Sequence, residues 1–147
     1  QTCALPIYDD TSFVILSNYY VYAPTVMAEG IGAILWDKPY EPQARIRVVP
    51  TSRPELTALE GVWQFAPDFF VPNGRARLVA KDGYLEMQWE AGGLVTMLWP
   101  TGEGRYLDPT FWATLEFAGE GTHRVLRYRA YGFPKVHEAR PVPDRLP

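Results

Sequence analysis

The chain has 147 residues, 47% of them hydrophobic and 14% aromatic, with a formal charge of −3 and a pI near 5.4. That is enough apolar mass for one ordinary core and something smaller beside it. The acidic balance gives no electrostatic case for nucleic acid or an anionic membrane. No apolar run approaches the roughly 20 residues that a membrane-spanning helix needs.

Residues 1–7, QTCALPI, fit nothing that follows them. The string is what a common short-read sequencing adapter gives when translated in one frame, CAG ACG TGT GCT CTT CCG ATC. Residues 1–7 are therefore expected to be foreign to the protein and are set aside from fold reasoning, and the natural chain is expected to continue upstream of Tyr8. The one cysteine, Cys3, lies within them; it allows no intrachain disulfide and assigns no compartment.

Residues 11–17, TSFVILS, form a continuous apolar run rich in β-branched and aromatic side chains. At this length the run reads as a strand buried on both faces. Pro24 suits the first turn of a helix, where its missing N–H costs nothing. From there to about residue 36, Met27, Ile31, Ile34 and Leu35 recur at helical spacing. Gly30 and Gly32 cost about 1 kcal/mol each relative to alanine, so they are expected to serve close approach of the helix to a sheet or a second helix. Four prolines at 39, 42, 50 and 54 then end the helix and stiffen a linker, assigned to residues 43–54.

Residues 55–140 read as consecutive antiparallel strands on one core. Strands are expected at 59–66, 75–81, 84–90, 94–99, 106–107, 111–118, 123–131 and 135–139. Leu85, Met87 and Trp89 alternate with Glu86, Gln88 and Glu90, as do Phe111, Ala113, Leu115 and Phe117 with Trp112, Thr114 and Glu116. Successive strand residues point to opposite faces, so each pattern gives one buried and one wet side. Asp82-Gly83 is a two-residue hairpin signal that places Lys81 opposite Tyr84, Val79 opposite Glu86 and Arg75 opposite Glu90. A four-residue turn at 119–122 would place Leu115 opposite Leu126, Ala113 opposite Tyr128 and Trp112 against Arg129, in cation–π reach. About eight such strands close a small up-and-down barrel without a free edge. The fold class expected is thus mainly β: a strand and a helix, then a roughly eight-stranded antiparallel barrel. The tail, 141–147, carries three prolines and is expected to be loose.

Residues with catalytic chemistry are few. His123 and His137 have no second histidine or cysteine at metal-ligand spacing and read as exposed strand-end residues. Ser12, Ser17 and Ser52 sit in neither G-x-S-x-G nor S-x-x-K. Arg124, Arg127 and Arg129, with Tyr131, share their outward face with Glu86, Glu90 and Glu116, which reads as a mixed-sign wet surface rather than an RNA platform. Asp9 with Asp10, and Glu116 with Glu120, are carboxylate pairs by proximity only. Trp63, Trp89, Trp99 and Trp112 fit either a packed barrel interior or the lining of a ligand cavity. No catalytic, cofactor-binding or metal-ligating residue is assigned from these patterns.

Residues 10–42, DTSFVILSNYYVYAPTVMAEGIGAILWDKPYEP, resemble the end of the serine β-lactamase-like hydrolase domain. This family includes class C β-lactamases, D-alanyl-D-alanine carboxypeptidases and related esterases. Its last sheet strand closes in S/T-N, as Phe13–Asn18 does, and its terminal helix leaves through a "G-K-P-Y-x-P"-like exit, matched by Asp37-Lys38-Pro39-Tyr40-Glu41-Pro42. Many members then carry a small lipocalin-like domain opening with "L-x-x-Y-x-G-x-Y". Here Leu56, Gly61 and Trp63 keep the pattern, and Leu59 departs from it. The resemblance implies a parent that hydrolyses a lactam, peptide or ester through an acyl-enzyme, using the Ser and Lys of S-x-x-K, the Tyr of Y-x-N and a K-T-G or H-x-G strand. None of these motifs occurs in this chain. The expectation is a C-terminal fragment, inert alone, whose partner is the missing upstream hydrolase domain. Members of the family are often exported or periplasmic, but these residues do not assign the parent's compartment. The alternatives are a stand-alone module binding a small apolar ligand and a protein-interaction module.

Overall fold

The structure is a computed structural model that describes residues 2–5, 13–16, 23–40 and 46–144. The chain divides into two compact units, Gln1–Arg45 and Ile46–Pro147.

In the first unit, β1 (Thr2–Leu5) and β2 (Phe13–Leu16) form a two-stranded antiparallel ribbon, with Thr2 opposite Leu16 and Leu5 opposite Phe13. The residues expected to be foreign thus supply β1. The helix α1 spans Ala23–Leu35. Its buried side is made by Val26, Ala28 and Gly30. The periodic residues Met27, Ile31, Ile34 and Leu35 are all exposed. Gly30 does serve close approach, but not to another helix or a sheet: a Cβ there would come within 2.9 Å of the Tyr40 ring. The strand expected to be buried on both faces is exposed at Val14 (58%) and Leu16 (77%).

The second unit is a closed antiparallel barrel of eight strands, of lipocalin-like kind. In chain order these are β3 (Gly61–Phe65), β4 (Arg75–Ala80), β5 (Leu85–Trp89), β6 (Val95–Gly102), β7 (Arg105–Asp108), β8 (Ala113–Ala118), β9 (Val125–Arg129) and β10 (His137–Val142). Each pairs with the next, and β10 returns to pair with β3. Closure leaves no unpaired edge for another chain to extend.

Alternation drives the closure. Trp63, Phe65, Leu78, Leu85, Met87, Leu98, Leu115 and Leu126 are buried in one core, while their strand neighbours, the buried Val62 excepted, are at least partly exposed. Burying side chains of this size stabilises the barrel by about 1.5–3 kcal/mol each. The Asp82-Gly83 hairpin forms as expected, with Val79 opposite Glu86 and the Lys81 amide donating to the Tyr84 carbonyl at 2.9 Å. Arg75 and Glu90 meet across the ladder at 3.5 Å.

Four expectations are corrected. The β8–β9 hairpin is two residues out of the expected register: Leu115 lies opposite Tyr128 and Phe117 opposite Leu126. A 3₁₀ turn at Gly121–His123 lengthens the connection, and an even slip keeps every side chain on its face. Trp112 is not in the strand. It takes φ 49° in the β7–β8 turn, and Thr114, not Trp112, lies opposite Arg129. The linker does not run extended to its end, because α2 (Arg53–Thr57) begins in its last two residues. The tail is not loose over its first residues, since Pro141 and Val142 pair with Trp63 and Val62 and Asp144 meets Arg77 at 2.6 Å.

The helix α2 follows from its sequence. Ser52 caps it, its amide and hydroxyl donating to Glu55 Oε2 at 2.9 and 2.6 Å, and Pro54 sits in the first turn. Leu56 is wholly buried in the barrel core. The next turn is pinned by Trp63 Nε1 donating to the Leu59 carbonyl and by the Ala80 amide donating to Glu60. This closes the end of the barrel at which β3 begins and β4 finishes.

Candidate functional site

The opposite end of the barrel gathers the polar groups. It is formed where β3, β5, β7 and β9 finish and where β4, β6, β8 and β10 begin. Inward parity brings Phe65, Trp89, Thr96, Asp108, Tyr128 and His137 to this end, each from a different strand. Asp108, Thr96, Tyr128 and His137 are all buried.

Aromatic rings fill the space. Phe69 comes from the β3–β4 connection and tucks its ring inward, 7% exposed. It stacks on Phe65 at 3.9 Å between centroids and lies parallel to Trp89 at 5.7 Å. Tyr128 stands perpendicular to Phe65, Phe69 and Trp89, and His137 perpendicular to Phe69 at 5.3 Å. Such edge-to-face and offset contacts add about 0.5–1.5 kcal/mol per pair beyond burial.

The electrostatics are set by Asp108. Its Oδ1 accepts from the Thr110 amide at 2.8 Å, an Asx turn that starts the connection to β8. Burial pushes its carboxyl up to about 6, moderated by the Thr110 amide and the nearby Thr96 and Thr110 hydroxyls. Burial, and the Asp108 charge after it, hold the Tyr128 phenol well above its ordinary range. Four buried polar atoms here have no hydrogen-bond partner among the described residues: Trp89 Nε1, Thr96 Oγ1, Asp108 Oδ2 and His137 Nδ1. Thr96 thus lies near enough to moderate Asp108 without closing a hydrogen bond of ordinary geometry.

The residues singled out from sequence are dispersed. His137 is buried rather than exposed, because it opens β10 on the inward face opposite Tyr128. His123 lies in the 3₁₀ turn at the other end. Ser52 is the helix cap. Ser12, Ser17, Asp9 and Asp10 lie outside the described residues. Arg127 reaches Glu116 at 3.9 Å and Glu138 at 3.8 Å, a mixed-sign surface as expected. Arg124 instead donates to the Ala58 carbonyl. Of the tryptophans, Trp63 and Trp89 are interior, whereas Trp99 lies tilted against Tyr84 at 5.0 Å between ring centroids. Among the described residues no cluster of His, Cys, Asp or Glu is placed to hold a metal ion.

Sequence reasoning missed Asp108, Thr96, Tyr128 and Phe69 as a group. The one available signal was parity: Asp108 shares a face with Tyr106, which puts a carboxylate on the inward side of a strand. Against family models, curated proteins and solved structures alike, the chain finds no match. What the fold defines is a closed, lipocalin-like barrel with a packed interior.

Proposed function

We propose that this chain is the C-terminal part of a serine β-lactamase-like hydrolase, made of the final strand, terminal helix, linker and accessory barrel. The acyl-enzyme chemistry belongs to the parent's upstream body, and the barrel acts as a structural or substrate-gating appendage. One observation carries the reading beyond the motif resemblance. Val14 and Leu16 of β2, and Met27, Ile31, Ile34 and Leu35 of α1, are all exposed. On the helix these fall at i, i+4, i+7 and i+8, one continuous stripe of the kind a helix buries against a core. Left in water, each such side chain forfeits about 1.5–3 kcal/mol. A strand and helix laid against the rest of an α/β sheet would bury that stripe.

Two measurements test the proposal. Purified residues 8–147 are expected to leave a chromogenic cephalosporin and a nitrophenyl ester unhydrolysed; turnover by this chain alone would overturn it. An independent read of the DNA upstream of Tyr8 is expected to encode S-x-x-K and Y-x-N in frame. An upstream frame without either motif would remove the hydrolase assignment.

A further inference from the structure

We propose that the mouth of the barrel is a binding slot for one small planar aromatic molecule with a hydrogen-bonding edge, and that Phe69 is the stopper that holds it shut. The proposal is independent of the hydrolase reading.

The walls and the stopper differ in how they are held. Phe65, Trp89, Tyr128 and His137 belong to strands and are fixed by the ladder. Phe69 belongs to a connection, residues 66–74, whose ties to β10 are the Ala66 amide donating to the Glu138 carbonyl at 3.0 Å and the Phe70 ring tilted against His137 at 4.9 Å. Beyond that, the connection is strapped to the β9–β10 loop by two exposed contacts. Lys135 meets Asp68 at 2.9 Å and Phe70 meets Phe133 at 5.2 Å between ring centroids. Exposed ion pairs contribute little to stability, so the strap is the weakest part of this end.

The chemistry of the space specifies its occupant. Phe65, Phe69 and Trp89 are within 20° of parallel, so removing the Phe69 ring leaves a place shaped for another flat ring. Tyr128 and His137 close its sides. Four buried polar atoms stand unpartnered among the described residues at this same end. Buried polar groups are paired as a rule, and each exception costs free energy comparable to a lost hydrogen bond. Trp89 Nε1 can only donate, Asp108 Oδ2 accepts when ionised, and Thr96 and His137 can do either. A ligand edge offering both an acceptor and a donor, such as an aromatic amide, answers this set. Phenylalanine offers neither. Phe70, Val71, Phe133 and Val136, exposed on the two strapped loops, give the mouth an apolar rim.

The test is a titration of the full chain with benzamide, and with toluene as the ring without a polar edge. The indole N–H resonance of Trp89, assigned by Trp89→Phe, is the readout. Wild-type protein is expected to show a saturating shift with benzamide in the millimolar range and a weaker response to toluene. Phe69→Ala is expected to bind benzamide about tenfold more tightly, the stopper being gone. Thr96→Val is expected to weaken benzamide several-fold and leave toluene unchanged. Should Phe69→Ala not fold, Lys135→Ala unfastens the strap at an exposed position and is expected to bind benzamide more tightly than wild type. The proposal is overturned if folded wild type shows no saturating shift, if Phe69→Ala takes toluene as well as benzamide, or if Lys135→Ala leaves the affinity unchanged.

Discussion

Asp108 shows how one side chain couples the barrel to pH. Its native carboxyl titrates near 6 against an ordinary 3.8, so the folded state keeps a proton that the unfolded chain releases. Folding is therefore unopposed by this group below about pH 4, loses stability as pH rises through 6, and bears the full cost above that. Two units correspond to about 3 kcal/mol. The groups around it, Thr96, Thr110 and Tyr128, carry no compensating positive charge. Asp108→Asn keeps the acceptor for the Thr110 amide and removes the ionisation. It is expected to raise the thermal midpoint at pH 7 and to leave it nearly unchanged at pH 4. An equal gain at both values would contradict the assignment. At Gly83, φ is +82° and a Cβ would meet no neighbour within 4 Å, so strain alone decides the outcome. Gly83→Ala is expected to cost about 1–2 kcal/mol in a denaturant titration.

Among the elements, β10 decides whether the barrel is closed. Its partners on the two sides are β9 and β3, and Pro141 and Val142 extend it beyond the point where the prolines suggested a free tail. Pro141 lies beyond Ala139, where the pairing with β9 ends, so it is paired with β3 alone, the edge position in which proline is tolerated. Arg77 and Asp144 then form a two-bond fork at 2.7 and 2.6 Å. Removing residues 141–147 is expected to lower unfolding free energy by roughly 2 kcal/mol, from lost ladder bonds and the partial burial of Val142. Urea unfolding measures this, and an unchanged midpoint would mean that the Ala139 and Arg140 pairing with β3 holds β10 without help from residues 141–144. The α2 element is more local. Its exposed Ser52–Glu55 capping box holds the Glu55 carboxyl below the usual range through hydrogen bonds from the Ser52 side chain and amide. Ser52→Ala is expected to cost about 1 kcal/mol.

On the scale of the molecule, the two units differ in what they bury. Barrel residues such as Leu78, Leu85, Met87 and Leu98 are sealed from water, whereas the apolar stripe of β2 and α1 is not. Local opening follows buried apolar contact and ladder pairing. Amides of Leu85–Trp89 are therefore expected to exchange with deuterium orders of magnitude more slowly than those of Phe13–Leu16. Equal protection would show that the first unit has all the partners it needs, and the fragment proposal would lose its support.

Residue patterning by itself determined the β character of the barrel, the inward and outward faces of strands such as β4 and β5, and the Asp82-Gly83 register. Each of these depends on neighbours one to a few positions away. Alternation and turn chemistry are local properties, so Leu85–Met87–Trp89 and Arg75–Glu90 were legible. The β8–β9 register was not, because a two-residue slip preserves every face and leaves the hydrophobic pattern equally satisfied. Nor was the mouth of the barrel. Phe69, Trp89, Thr96, Asp108, Tyr128 and His137 are spread over some 70 residues of chain, and only closure of β10 onto β3 brings them to one end. Burial, which raised the Asp108 carboxyl and left four polar atoms without partners among the described residues, is a property of that closed surface and of no single strand.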